Sequence, residues 1–164
     1  GVVRLRAWVR DNPRDVAGRL ALIAALRGHG DHVGAFSVVN EGVRIVPESA
    51  VLLNEAAMLA ADLKQPGALG YAERAYKLAP QIAEVKDTYG WLLFTSGRKK
   101  EAMPLLQSAA ATLVDNPEIQ YHFALALLDS GDKKRALNVM TQMLQRSPAF
   151  KQRNEVERLV ASLR

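Results

Sequence analysis

The sequence predicts an all-α protein, an α-α superhelix of about four helix–turn–helix repeats with one further helix at each end. The first observation behind this prediction is an alanine that recurs at spacings of 33, 34 and 34 residues: Ala35, Ala68, Ala102 and Ala136. The second is a proline that recurs with nearly the same period at Pro13, Pro47, Pro80 and Pro148, except that Val114 stands at the position between the last two. The third is the lack of any stretch with the alternating apolar and polar residues of a half-buried strand. A periodic chain without strand signals is typical of stacked helical hairpins.

The period divides the chain into four repeats, and each is predicted to form a helix A, a turn and a helix B. The repeats are assigned to residues 16–48, 49–82, 83–116 and 117–150. Glycine at the expected end of three A helices suits the left-handed conformation that closes a helix: Gly30, Gly97 and Gly131. Leu63 stands at that position in the second repeat. The recurring proline ends helix B, since its ring cannot continue the helical hydrogen bonding.

Two amphipathic segments flank the repeats. Residues 1–13 are predicted to be the helix B of an earlier repeat, with a buried stripe of Val2, Leu5, Trp8 and Val9. Without a preceding helix A this stripe would be uncovered or covered by a second copy, so a homodimer through this helix is one expectation. The alternative interpretation is an N-terminal capping helix. Residues 151–164 are predicted to be a C-terminal capping helix with a stripe of Val156, Leu159, Val160 and Leu163.

The composition excludes several kinds of chemistry. There is no cysteine, which excludes disulfides, thiolate metal sites and cysteine nucleophiles. The sequence contains no glycine-rich phosphate loop, no G-x-S-x-G elbow and no H-E-x-x-H motif. His29 and His32 flank a turn with Asp31 as the only nearby third ligand, so they are interpreted as solvated turn residues. We therefore predict a protein that is not an enzyme and that holds no cofactor and no metal.

The repeat positions resemble the tetratricopeptide (TPR) pattern, in which helix A, a short turn and helix B occupy about 34 residues. The resemblance implies that helix A lines a concave groove, mainly through positions 2, 5, 9, 12 and 13 when the recurring alanine is position 20. In the first two repeats these positions are small or apolar apart from one arginine: Ala17, Leu20, Ala24, Arg27, Gly28, Ala50, Leu53, Ala57, Ala60 and Ala61. In the last two they are largely aromatic and acidic.

The aromatic and acidic half supplies the candidate ligand groove. Its predicted residues are Glu84, Asp87, Trp91, Phe94, Glu118, Tyr121 and Leu125. Aromatic side chains suit an extended peptide, a partner helix or a sugar ring, because flat faces bury a large area at small entropic cost. Carboxylates beside them can accept hydrogen bonds from hydroxyls or pair with basic side chains. The alternative is that Trp91 and Phe94 only pack against the next repeat.

A second candidate is a basic ridge on the turn edge. It consists of Arg98, Lys99 and Lys100 in the third repeat and Lys133, Lys134 and Arg135 in the fourth. The ridge could meet an anionic polysaccharide, a lipid headgroup surface or an acidic protein, and the alternative is a solvated pair of helix starts. Nucleic acid is disfavoured, although the net charge is +5, since no aromatic residues interleave with the basic residues.

Several stretches show a closer resemblance. They are residues 71–80 (YAERAYKLAP), 87–93 (DTYGWLL) and 116–127 (NPEIQYHFALAL), with a tail from Phe150 to Leu159. Over residues 50–164 they are similar to the C-terminal end of large bacterial TPR lipoproteins that accompany exosortase (PEP-CTERM) and exopolysaccharide export systems. The resemblance implies a location in the bacterial cell envelope or periplasm and a scaffold that binds a protein or peptide partner. Two alternatives remain: a module that binds glycan directly, and a cytoplasmic TPR domain fused to a catalytic domain such as a transferase.

Overall fold

The computed structural model describes all residues from 1 to 164 and contains ten α-helices and no strand. The helices are α1 (Val2–Asp11), α2 (Val16–Gly28), α3 (His32–Ile45), α4 (Ala50–Asp62), α5 (Ala68–Leu78), α6 (Ala83–Thr95), α7 (Lys99–Thr112), α8 (Pro117–Asp129), α9 (Lys133–Arg146) and α10 (Arg153–Leu163). The even-numbered helices from α2 to α8 are the A helices, and the odd-numbered helices from α3 to α9 are the B helices. No helix combines the length and the apolar character that crossing a membrane requires.

Short polar side chains begin five of the helices. Each residue at such a helix start accepts a hydrogen bond from the backbone N–H three residues later: Asp15, Asp31, Ser49, Asn116 and Asp132. These bonds satisfy N–H groups that have no partner inside the helix. Asn116 accepts from Ile119 at 3.2 Å, and Pro117 is the first helical residue. Asn116 therefore caps α8 with its side chain.

Three A helices end at a glycine in the left-handed region, as predicted. Gly30, Gly97 and Gly131 have φ of 77°, 90° and 86°. In the second repeat the left-handed residue is Lys64, with φ of 53°, and not Leu63. The helix of that repeat therefore closes one residue later than the pattern of glycines indicates.

Helix A of the second repeat lies one residue closer to the recurring alanine than helix A of the first repeat does. The start of α4 at Ala50 lies 34 residues after the start of α2 at Val16, whereas Ala35 and Ala68 are 33 residues apart. The turn absorbs the difference, because α5 begins at Ala68 itself whereas α3 begins three residues before Ala35. Consequently, the repeat position that each residue of α4 occupies is assigned to the preceding residue when the repeats are numbered by the alanine.

The chain forms two compact units, Gly1–Thr88 and Tyr89–Arg164, with the boundary inside α6. In the first unit each helix from α1 to α4 packs on the next helix along the chain. Its core is aliphatic and includes Leu22, Ile23, Val39, Leu52 and Leu59. In the second unit α8 packs on α7 and α9, and α10 packs on α9. Its fully or almost fully buried side chains include Leu106, Leu127, Met140 and Val156.

The two end helices differ in how well their predicted stripes are covered. In α1, Val9 is buried, and Val2 and Leu5 pack partly against the core of the first unit. Trp8 is 54% exposed, as expected for an uncovered stripe, and its Nε1 donates to Asp15 Oδ2 at 2.6 Å, whereas the burial of Val9 is contrary to that expectation. In α10 the predicted stripe is correct: two of its residues are buried and two are half-buried, namely Val156, Leu159, Val160 and Leu163.

Candidate functional site

One side of the A helices reaches solvent at the second, sixth, ninth and thirteenth helical residue. These residues are exposed or half-buried in three helices: Ala17, Ala21, Ala24 and Gly28 in α2; Val51, Glu55, Met58 and Asp62 in α4; Glu118, His122, Leu125 and Asp129 in α8. In α6 the corresponding residues are Glu84, Thr88, Trp91 and Thr95, of which Thr88 is buried. Spacings of four, three and four residues place side chains on one side of a helix. We call this side the A-face, and it is described separately for each unit.

The displacement of α4 corrects the groove prediction for the second repeat. Leu53, Ala57 and Ala60, which were predicted to line the groove, are fully buried. The A-face of this repeat instead presents Glu55 and Asp62 as its charged residues. Glu55 was missed because numbering by the alanine placed it at a position that the other repeats fill with a large apolar side chain.

In α6 and α8 the fifth helical position is also buried, contrary to the groove prediction. Asp87 is 6% exposed and Tyr121 is 8% exposed. The hydroxyl of Tyr121 makes a hydrogen bond with Glu155 of α10, and burial followed by this bond raises the pKa of Tyr121 to about 12. Tyr121 is thus part of the contact that holds the C-terminal helix and is not an open binding residue.

In the first unit, an ion pair beside the A-face joins α2 and α4. Arg27 Nη1 of α2 donates to Glu55 Oε2 of α4 at 3.2 Å. Burial raises the pKa of Glu55, and the nearby guanidinium only partly opposes this effect. The A-face residues of α2 are all alanine or glycine, so the backbone of a bound segment could come close to this helix.

In the second unit, three rings stack across α6 and α8. The ring centroids of Trp91 and His122 are 4.2 Å apart with an interplanar angle of 11°. Those of Trp91 and Phe94 are 5.4 Å apart with an angle of 20°. Lys99 Nζ lies 5.5 Å from the Phe94 centroid and 2.7 Å from Asp129 Oδ1. Trp91 therefore does pack against the following repeat, but all three rings remain half-buried rather than enclosed.

Leu125 and Glu118 complete the A-face of the second unit. Leu125 is half-buried and lies one turn after His122, while Glu118 lies one turn before it, reaches solvent and has no ion-pair partner. The surface thus offers an apolar and aromatic strip with one free carboxylate at its edge. His122 was missed because a lone histidine in a helix gives no signal until the neighbouring helix brings Trp91 against it.

The basic ridge is half neutralised within the second unit. Arg98 Nε bonds to Glu101 Oε2 at 2.7 Å, Lys99 bonds to Asp129, and Arg135 Nη1 lies 3.6 Å from Asp132 Oδ2. The remaining three residues, Lys100, Lys133 and Lys134, reach solvent and have no ion pair. Helix α9 contains no acidic residue at all.

No family model and no curated protein matches the chain. Solved structures do: TTC0263, a thermophilic TPR protein in Thermus thermophilus, aligns with a TM-score of 0.75 at 20% identity over 99% of this chain and 88% of that chain. YrrB, a TPR protein with an unusual peptide-binding site, aligns with a TM-score of 0.72 at 15% identity over 99% and 83%. PilF of Pseudomonas aeruginosa aligns with a TM-score of 0.73 at 15% identity over 98% and 78%. The predicted fold class, an all-α TPR array, is confirmed.

Proposed function

We propose that this chain is a non-catalytic scaffold that binds a polypeptide segment of a partner protein on its A-face. The observation that carries the proposal is the strip of Trp91, His122 and Leu125, in which the rings of Trp91 and His122 stack across α6 and α8 while all three side chains stay half-buried. Partly exposed apolar strips usually mark contacts with other molecules. The TPR fold supports the proposal, since one solved structure with this fold, YrrB, has a peptide-binding site.

The charges of the A-face suggest the chemistry of the bound segment. Lys99, the basic residue beside the strip in the second unit, is already paired with Asp129. Glu118 in the same unit reaches solvent and has no ion pair. A segment with apolar anchors and at least one Lys or Arg would therefore fit better than an acidic one.

The proposed setting is the bacterial cell envelope, in a system that exports polysaccharide or surface proteins. This part of the proposal rests on the similarity of residues 50–164 to envelope TPR lipoproteins, described above. The partner would then be another protein of the same export machinery.

A pull-down from a native envelope extract tests the binding surface. The wild-type chain is compared with a Trp91→Ala, Leu125→Ala variant and with a control variant, Val33→Ala, Leu78→Ala, which removes exposed apolar side chains of B helices instead. We expect a protein that is retained by wild type and control and lost by the first variant, with helicity checked by circular dichroism. Equal recovery by all three would rule out the A-face of the second unit as the binding surface.

The three unpaired lysines favour a second candidate function, the direct binding of an anionic polysaccharide by the basic ridge. Electrophoresis through a gel containing polygalacturonate measures this directly. We expect retardation of the wild type that weakens with salt and is lost in Lys100→Gln, Lys133→Gln, Lys134→Gln. A control with the same charge, Lys64→Gln, Lys77→Gln, Lys151→Gln, should still be retarded. Equal mobility of the two triple variants would reject the ridge as a specific site.

A further inference from the structure

A cavity of about 240 Å³ lies in the first unit among α1, α2 and α3. It is lined by Arg6, Val9, Arg10, Pro13, Arg19, Leu22, Val38 and Glu41. Three of these side chains are guanidinium groups and one is a carboxylate, so the lining carries two net positive formal charges. The cavity belongs to neither the A-face nor the basic ridge.

Arg19 forms a fixed part of the wall, since it is only 1% exposed. Its Nη1 donates to the carbonyl of Val38 at 3.0 Å and to Glu41 Oε2 at 2.9 Å, and its Nη2 donates to the carbonyl of Pro13 at 3.0 Å. Gly42 makes room for it, because a Cβ at that residue would overlap the Arg19 side chain. A guanidinium has five N–H donors, and these bonds use three. The Nε–H and one N–H of the adjacent Nη2 are left without a protein acceptor.

Arg6 and Arg10 of α1 add two further positive charges to the lining. They are one turn apart on α1 and therefore lie on the same side of that helix. Their side chains are 51% and 75% exposed, and each has only a peripheral partner: Arg6 Nη2 is 4.0 Å from Asp31, and Arg10 Nε bonds to the adjacent Asp11 at 2.9 Å. To bind a ligand, each arginine would give up only its solvent-exposed ion pair, and such pairs contribute little to stability.

We propose that this cavity binds a small free oxyanion, a compound with a carboxylate or phosphate group on a short carbon chain. Arg19 supplies fixed donors at the cavity wall, and Arg6 and Arg10 close over the anionic group with paired N–H bonds of the kind guanidinium makes to carboxylate and phosphate. Val9, Leu22 and Val38 contact the carbon chain. The volume is below the range of about 300–1,000 Å³ for drug-sized ligands, which fits a small metabolite.

Arginine side-chain NMR of the intact chain tests the proposal. The Nε–H resonances are followed while sodium phosphate or sodium succinate is added, and sodium chloride of equal ionic strength is the reference. Arg19→Lys assigns the Arg19 signal. We expect a saturable shift of the Arg19 resonance with at least one of the two anions, and the stronger response shows whether phosphate or dicarboxylate is preferred.

A matched pair of double variants locates the binding. Arg6→Gln, Arg10→Gln should raise the dissociation constant at least tenfold. Arg4→Gln, Arg44→Gln removes the same charge from exposed residues of the first unit outside the cavity and should change it less than twofold. Equal weakening in both variants, or an equal shift with chloride alone, would mean general ionic screening and would overturn the proposal. If Arg6→Gln, Arg10→Gln does not give the amide spectrum of a folded protein, the wild type alone tests the proposal. Its Arg19 Nε–H resonance must then shift more with phosphate or succinate than with chloride of equal ionic strength.

Discussion

Lys64 carries the one left-handed backbone conformation of the chain that is not taken by glycine, with φ of 53°. A side chain in this conformation costs about 1–2 kcal/mol, and glycine avoids that cost but loses more entropy on folding. We expect Lys64→Gly to raise the free energy of unfolding by about 0.5–1 kcal/mol, measured by urea denaturation. Lys64→Ala keeps a Cβ and removes the charge, so it should give no such gain. An equal gain in both variants would attribute the effect to the charge and not to the backbone.

Tyr121 makes stability depend on alkaline pH. Burial, followed by the hydrogen bond to Glu155, raises the pKa of Tyr121 from 10.0 to about 12, so the folded state favours the neutral phenol. This contribution is fully present below about pH 10 and is lost as the pH rises toward about 12. We expect Tyr121→Phe to be less sensitive than wild type over this range, measured as the urea midpoint from about pH 9 to 12. Tyr71→Phe, which removes a hydroxyl bonded to Asn40, should behave as wild type. Parallel pH curves for wild type and Tyr121→Phe would contradict the prediction.

At the scale of the helix, α9 depends strongly on Asp132. Three basic residues occupy its first turn, where the helix dipole disfavours positive charge, and Asp132 both caps the helix and lies near Arg135. We expect Asp132→Ala to lower the local stability of α9 by about 1 kcal/mol, measured by hydrogen exchange of its backbone amides. Asp132→Asn keeps a capping oxygen and should lose less. A loss of equal size in both variants would show that the charge, and not the cap, is responsible.

Much of this element structure could be predicted from the sequence, because each feature depends on residues close together in the chain. The cap at Asn116 and the left-handed Gly97 are local in this sense. The displacement of α4 could not be predicted from the recurring alanine, because this alanine lies in helix B. The segment between the start of helix A and the alanine is one residue shorter in the second repeat, and the alanine alone does not show where that residue is lost. The contact between Trp91 and His122 was also hidden, since it joins residues 31 positions apart whose proximity depends on how two helices pack.

At the scale of the molecule, the division into two compact units predicts that unfolding is not a single transition. Stability in repeat arrays is approximately a sum of local terms, and only two tryptophans exist, Trp8 in the first unit and Trp91 in the second. Trp8→Phe and Trp91→Phe each leave one fluorescent reporter. We expect the urea midpoints that tryptophan fluorescence reports for the two variants to differ. Circular dichroism of each variant should follow both transitions. Coincident midpoints and slopes by both probes would indicate one cooperative transition instead.

The one-residue displacement of α4 has a practical consequence for engineering this chain as a binding reagent. A library that aligns the repeats on the recurring alanine would diversify Leu53, Ala57 and Ala60, which are core residues. One residue corresponds to a rotation of about 100° around a helix with about 3.6 residues per turn, so in the second repeat such a library would mutate mainly buried residues and leave the exposed ones constant. Diversifying Val51, Glu55, Met58 and Asp62 instead would place the variation where a target can reach it.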